Sequence, residues 1–198
     1  RSYAPTVSKL GDSLARLLSY TGHEVEREFY INDRGVQMQT YAASLQARAE
    51  GREPDEGGYQ GQYIIDWAAR MPEGADPLEW GEAHALADQR DVLARMNVTF
   101  DVWFSERAMV DTGAIDVTLA DLRERGVAYD EDGAVWLRST EFGDDKDRVL
   151  VKSDGEYTYL LPDIAYHRDK FARWFDLLVN VWGADHHGYV PRMKAAVQ

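Results

Sequence analysis

The sequence predicts an α/β domain organised on a parallel sheet, and three observations carry that prediction. Strand-like runs at 25–31, 98–104 and 177–182 are separated by segments of helical periodicity, the alternation that packs helices against a parallel sheet. Helical stretches close on glycine, as at Gly22 and Gly126, where a left-handed cap is needed. Residues 127–157 change character: short β-type runs are joined by Asp132-Gly133 and Asp154-Gly155, both tight-turn signals.

Taken in order, Leu10, Leu14, Leu17 and Leu18 give 9–20 one apolar helical face. Over 25–31, Val25, Arg27, Phe29 and Ile31 alternate with Glu26, Glu28 and Tyr30, and Asn32-Asp33-Arg34-Gly35 ends the strand. Helices follow at about 36–49, 63–71 and 80–96. The polar, Gly/Pro-rich connection 51–61 marks the entry to a helical insertion over 51–96. The strand 98–104 precedes a short helix at 117–125. β-type runs at 127–129, 134–139 and 148–152 make a β-rich insertion over 127–157, and a further strand is expected at 157–161. Pro162 suits the first turn of a helix reaching about residue 174. The run 177–182 reads as a buried strand, and a last helix begins near Val190. The chain opens almost directly into a helix, so the sheet is expected to be incomplete at its N-terminus.

At 198 residues the chain holds one domain, or one domain carrying insertions. It has no cysteine, which excludes disulfides and thiolate zinc sites. No apolar stretch approaches the ~20 residues of a membrane span. The opening Arg1-Ser2-Tyr3-Ala4-Pro5 lacks the apolar region of a signal peptide, so a cytoplasmic protein is expected. The net charge of −13, from 35 acidic and 22 basic residues, is the wrong sign for a surface that grips nucleic acid by its phosphates. Composition therefore points to an enzyme acting on a small, cationic substrate.

In an open α/β sheet, ligands bind beyond the carboxyl ends of the strands. Glu106 follows the run 98–104. Tyr159 and Asp163 sit on and just after 157–161. Gly183-Ala184-Asp185-His186-His187-Gly188 follows 177–182. These carboxylates, the phenol and the glycine–histidine loop suit a guanidinium, where each charge-assisted hydrogen bond contributes ~1.5–3 kcal/mol. Each residue also has a plainer role. Asp163 near a helix start complements the helix dipole, Glu106 serves as a solvated acid, and Tyr159 packs. Asp185-His186-His187 lacks a supporting His or Cys cluster, so no protein-bound metal is expected. His23, His84 and His167 show no spacing logic and read as surface or helix-end residues. Gly143-Asp144-Asp145-Lys146-Asp147 reads as a turn between β-segments, lacking the alternating acids of a calcium loop.

Six segments, in order, resemble the arginyl-tRNA synthetase family. They are Tyr30-Ile31-Asn32-Asp33-Arg34-Gly35-Val36-Gln37, Tyr59-Gln60-Gly61-Gln62-Tyr63, Phe100-Asp101-Val102-Trp103-Phe104-Ser105-Glu106, Gly143-Asp144-Asp145-Lys146-Asp147-Arg148-Val149, Thr158-Tyr159 with Asp163-Ile164-Ala165-Tyr166-His167, and Gly183-Ala184-Asp185-His186-His187-Gly188. The resemblance implies that 1–198 is part of a Rossmann-type class I catalytic domain. Such a domain activates L-arginine with ATP, which brings Mg2+, and transfers the arginyl group to tRNA(Arg). It implies that Glu106, Tyr159, Asp163 and His186 hold arginine. Gly183, Asp185 and His187 would line the adenosine side, and Asn32 and Gln37 would shape the pocket. The family's His-x-Gly-His and Lys-Met-Ser-Lys signatures are not in this stretch, nor are its anticodon-binding and N-terminal tRNA-binding domains. The expectation is therefore a part that is inactive alone, with tRNA held mainly elsewhere. The rival reading is a synthetase-derived module that senses arginine or binds a protein without catalysis.

Overall fold

The structure is a computed structural model and describes residues 4–198; Arg1-Ser2-Tyr3 lies outside the described residues. The chain divides into two compact units, Asp12–Ser105 and residues 4–11 with Glu106–Gln198.

The unit Asp12–Ser105 takes most of α1 (Ala4–Tyr20), then β1 (Glu28–Ile31), α2 (Val36–Ala49), α3 (Gln62–Ala68), α4 (Pro77–Arg95) and β2 (Val102–Ser105). β1 and β2 pair in parallel, with Phe29 opposite Trp103 and Ile31 opposite Ser105. Phe29 packs its ring against Trp103 at 4.7 Å and Phe100 at 5.2 Å. The three helices α2–α4 enclose Tyr41, Leu45, Ile64 and Ala68, with Met38, Tyr59 and Trp67 around them. Pro77 stands in the first turn of α4, where no N–H is needed, and Asp76 caps the helix by accepting from the Glu79 amide at 2.8 Å. β2 starts later than the pattern 98–104 predicted. Asn97 turns left-handed out of α4 and the Val98 amide still bonds back to Leu93, so those residues close a helix before the strand can begin.

The second unit contains α5 (Glu106–Asp111), α6 (Ala114–Glu124), β3 (Ala128–Glu131), β4 (Ala134–Leu137), a 3₁₀ turn at Ser139–Phe142 and β5 (Arg148–Val151). α7 (Leu160–Ala172), a second 3₁₀ segment at Ala184–Tyr189 and α8 (Val190–Ala196) complete it. β3, β4 and β5 form an antiparallel sheet in that order. Asp132 and Gly133 both take positive φ, 50° and 75°, the geometry that a two-residue hairpin turn demands. Leu150 on β5 and Leu161 on α7 are fully buried.

Two expected strands are not strands. At 157–161, Tyr157 makes an isolated bridge to Val151 and the chain is helical from Leu160. Leu160, Leu161, Ile164 and Ala165 are all buried, so the apolar residues obey the helical period; Pro162 falls in the first turn without breaking it. At 177–182 the chain forms no strand, and Leu177 and Val179 are 61% and 50% exposed. An apolar run alone does not make a strand: a ladder needs a neighbouring strand, and none among the described residues takes that place.

Candidate arginine site

The site is built on the first turns of α7. Its apolar stripe Leu160, Ile164 and His167 faces inward at helical spacing, which fixes the rotation of the helix and brings Asp163 to a partly buried position. The phenol of Tyr189 donates a hydrogen bond to Asp163 Oδ2. Burial pushes the Asp163 carboxyl above its usual value, opposed by that hydrogen bond and by the charges of Lys170 and His186. Burial also raises the Tyr189 phenol, and the adjacent Asp163 carboxylate adds to the effect.

One turn further on, His167 is buried, correcting its reading as a surface residue. Its Nδ1 lies 2.8 Å from the Asp163 carbonyl, which accepts only, so Nδ1 carries the proton. Nε2 must then accept, and Asn180 Nδ2 donates to it at 2.9 Å. Lys170 Nζ donates to Asn180 Oδ1 at 2.7 Å. The chain of bonds is self-consistent and fastens the strandless segment 177–182 to α7. Burial, then the Lys170 charge, lowers the His167 pKa, keeping the ring neutral. The i+7 and i+10 positions of His167 and Lys170 relative to Leu160 are the sequence signal for this network, though nothing in the sequence singles out Asn180. His84 also departs from its surface reading: it stacks on Trp80 at 4.6 Å and meets Trp67 edge-on at 5.0 Å.

The glycine–histidine loop is the 3₁₀ segment Ala184–Tyr189. Gly183 enters it extended, and a Cβ there would collide with the Asp185 carboxylate. Asp185 Oδ1 lies 3.1 Å from His186 Nδ1, and Asp185, His186 and His187 are all exposed. Trp182 packs against His186 and Tyr189, with ring centroids 6.0 and 5.7 Å apart, so one indole steadies both ends of the loop.

Glu106 is the first residue of α5 and half-buried, and α5 packs against α7. Tyr159 precedes α7 and is 85% exposed. Asn32 and Gln37 belong to the other unit, on the loop after β1 and in the first turn of α2, and both are exposed. Their neighbour Asp33 is 3% exposed and accepts a hydrogen bond from Ser105 Oγ, tying the ends of β1 and β2 together. Tyr189 is the residue that sequence reasoning missed at the site. Among the described residues no group of three or more His, Cys, Asp or Glu is placed to hold a metal ion, and no helix is long and apolar enough to cross a membrane.

An ionisable carboxylate with a phenol and an imidazole around it has the chemistry to accept hydrogen bonds from a cation. The fold and these segments define a class: a family described as tRNA synthetases class I (R), catalytic domain, matches residues 80–198, and the chain belongs to that family. The chain is 50% identical to the arginine–tRNA ligases of Bacillus subtilis and Geobacillus kaustophilus over 208 and 207 aligned residues. Those alignments take in 96% and 95% of this chain but 37% of each relative, so the chain spans little more than a third of their length. Among solved structures, it is similar to an arginyl-tRNA synthetase structure from Campylobacter jejuni, with a TM-score of 0.84 at 36% identity over 96% of this chain and 45% of that one. It is also similar to the Thermus thermophilus arginyl-tRNA synthetase, with a TM-score of 0.54 at 25% identity over 81% and 31% of the two chains.

Proposed function

We propose that the chain is the arginine-recognition part of a cytoplasmic arginine–tRNA ligase. In that reaction an oxygen of the arginine carboxylate attacks the ATP α-phosphorus and pyrophosphate leaves. The terminal ribose hydroxyl of tRNA(Arg) then attacks the activated carbonyl and AMP leaves. The protein forms no covalent bond to substrate; it positions the reactants and stabilises charge. Glu106, Tyr159, Asp163 and His186 receive arginine. Gly183, Asp185 and His187 line the adenosine side, and Mg2+ arrives with ATP.

The observation that supports this reading best is Asp163. Its carboxylate is partly desolvated, and its hydrogen bond comes from a neutral hydroxyl while Lys170 and His186 act on it only through their charge, so burial still outweighs them and a further cationic donor is favoured. A guanidinium satisfies that need with a fork of donors, whereas an ammonium is a single point charge. Calorimetric titration of the 198-residue chain with L-arginine and L-lysine tests the reading. Arginine should bind at least about tenfold more tightly, a difference of roughly 1.4 kcal/mol. Equal binding of the two amino acids, or no binding of arginine, overturns it.

A further inference from the structure

A cleft of about 460 Å³ lies between the loop 143–148 and the start of α8, lined among others by Asp144, Asp145, Lys146, Arg148, Gly188 and Arg192. It contains none of the side chains assigned to arginine or adenosine. Its cations divide into two kinds. Arg148 is committed: Nε and Nη2 donate to both oxygens of Asp144 at 2.7 and 2.8 Å, and Nη2 also reaches Asp145. The Arg148 hydrogen bonds hold the Asp144 carboxyl far below the usual carboxylate range, so this group is ionised and locked. Lys146 and Arg192 are uncommitted. Among the described residues, no hydrogen bond or ion pair reaches the ammonium of Lys146 or the guanidinium of Arg192. Arg192 rests 5.1 Å above the ring of Tyr189, and its Nε is shielded from solvent without an acceptor.

The Arg192 Nε–H has given up water and gained no acceptor, a cost that an anion in the cleft would relieve. Two negative charges against three positive ones leave the lining at +1 in a chain whose net charge is −13, a local reversal of sign. An arginine fork beside a lysine point charge is a pairing that fits the several oxygens of a phosphate group. At Gly188 no atom stands within 4 Å of where a Cβ would be, so the loop backbone leaves the cleft open to a ligand.

We propose that this cleft is a phosphate-binding site, with Arg192 Nε and Nη and Lys146 Nζ as its donors. The phosphate comes either from a free polyphosphate or from a phosphodiester of an RNA strand. The site goes beyond the arginine reading and does not depend on it.

The test follows the Arg192 Nε–H resonance of the 198-residue chain by NMR, assigned by its loss in Arg192→Gln. Sodium pyrophosphate without metal, a single-stranded RNA of about twelve nucleotides, and acetate are titrated separately. Pyrophosphate should shift the resonance and saturate, and the exposed-residue variant Lys146→Ala, which leaves the fold intact, should weaken binding about tenfold. RNA binding more tightly than pyrophosphate, with the same dependence on Lys146 and a steep salt dependence, assigns the source to a phosphodiester. No shift with either, a shift unchanged in Lys146→Ala, or acetate acting as well as pyrophosphate overturns the proposal. Arginine titration is a separate reading, so failure here and failure of the arginine site are told apart.

Discussion

The Tyr189 hydroxyl donates to the Asp163 carboxylate across 26 residues of chain, joining the end of the glycine–histidine loop to the head of α7. Removing that donor in Tyr189→Phe leaves a partly buried carboxylate with less compensation, so the Asp163 pKa should rise further above its usual range. A carbon-detected NMR titration reads this directly. Hydrogen bonds to charged groups contribute roughly 1.5–3 kcal/mol when buried, so this partly buried one should be worth about 1–2 kcal/mol. The loss should be larger at pH 7, where Asp163 is ionised, than at pH 3, where it is not. An equal loss at both values would mean the phenol merely packs.

His167 gives a second pH signature, in a higher window. Its folded pKa lies below the unfolded value of ~6.5. The neutral ring is what the fold requires, so its contribution is complete above pH ~6.5 and is lost as pH falls through the folded value. In His167→Gln this component disappears. Chemical denaturation from pH 7.5 to 5.5 should therefore show the gap between wild type and variant narrowing towards acid. A constant gap would place the pH dependence elsewhere.

Most helices were legible because they announce themselves locally, although the six-residue α5 (Glu106–Asp111) was not expected. The expected 36–49 is α2 to the residue, and the expected start near Val190 is that of α8. The hairpin turn at Asp132-Gly133 was equally local, because few residues accept positive φ. What failed was the part of strand reading that depends on partners. The run 177–182 is almost wholly apolar, yet it is unpaired. Tyr157–Leu161 looked β-rich until the inward period through Ile164 and Ala165 carried Leu160 into the helix. At the site, charged residues after element ends could be picked out. Tyr189 and Asn180 could not, because their roles depend on contacts 26 and 13 residues away in sequence.

Gly81 offers a stability test in the other unit. It is buried in α4, and a Cβ there would stand 2.5 Å from Leu45 Cδ1 and 2.8 Å from the Tyr41 ring. Tyr41 also donates its hydroxyl to the Gly81 carbonyl at 3.0 Å, which holds the ring in place. Gly81→Ala gains roughly 0.5–1 kcal/mol in helix preference. It should nonetheless destabilise, because overpacking a filled core costs about 1–3 kcal/mol. Thermal melts should show a lower Tm, and an unchanged or higher Tm would mean the two rings yield more readily than their burial implies.

The last prediction concerns the two carboxylates that open α5 and α7. If arginine is held as proposed, Asp163→Asn and Glu106→Gln should each weaken its binding to the 198-residue chain by roughly ten- to a hundredfold, the ~1.5–3 kcal/mol of a charged hydrogen bond. An amide keeps the shape of the acid but replaces one acceptor oxygen with a donor that faces the guanidinium N–H groups. The two residues differ in what their loss does to the free protein. Asp163 is desolvated and its folded pKa is raised, so its ionised form is a strain on the fold. Below the unfolded carboxylate value of ~3.9 both states hold the proton and the full stabilisation is present. Stability then falls as pH rises through the window up to the raised folded value. Asp163→Asn removes that strain, so its thermal melt at pH 7 should be no lower than wild type even as arginine binding collapses. Arginine, by favouring the ionised form, should release a proton on binding near the raised pKa, visible as a binding heat that depends on the buffer. A merely structural role predicts the reverse pattern: a lowered melt, arginine binding intact and no proton release. That outcome in both variants would remove Asp163 and Glu106 from the site.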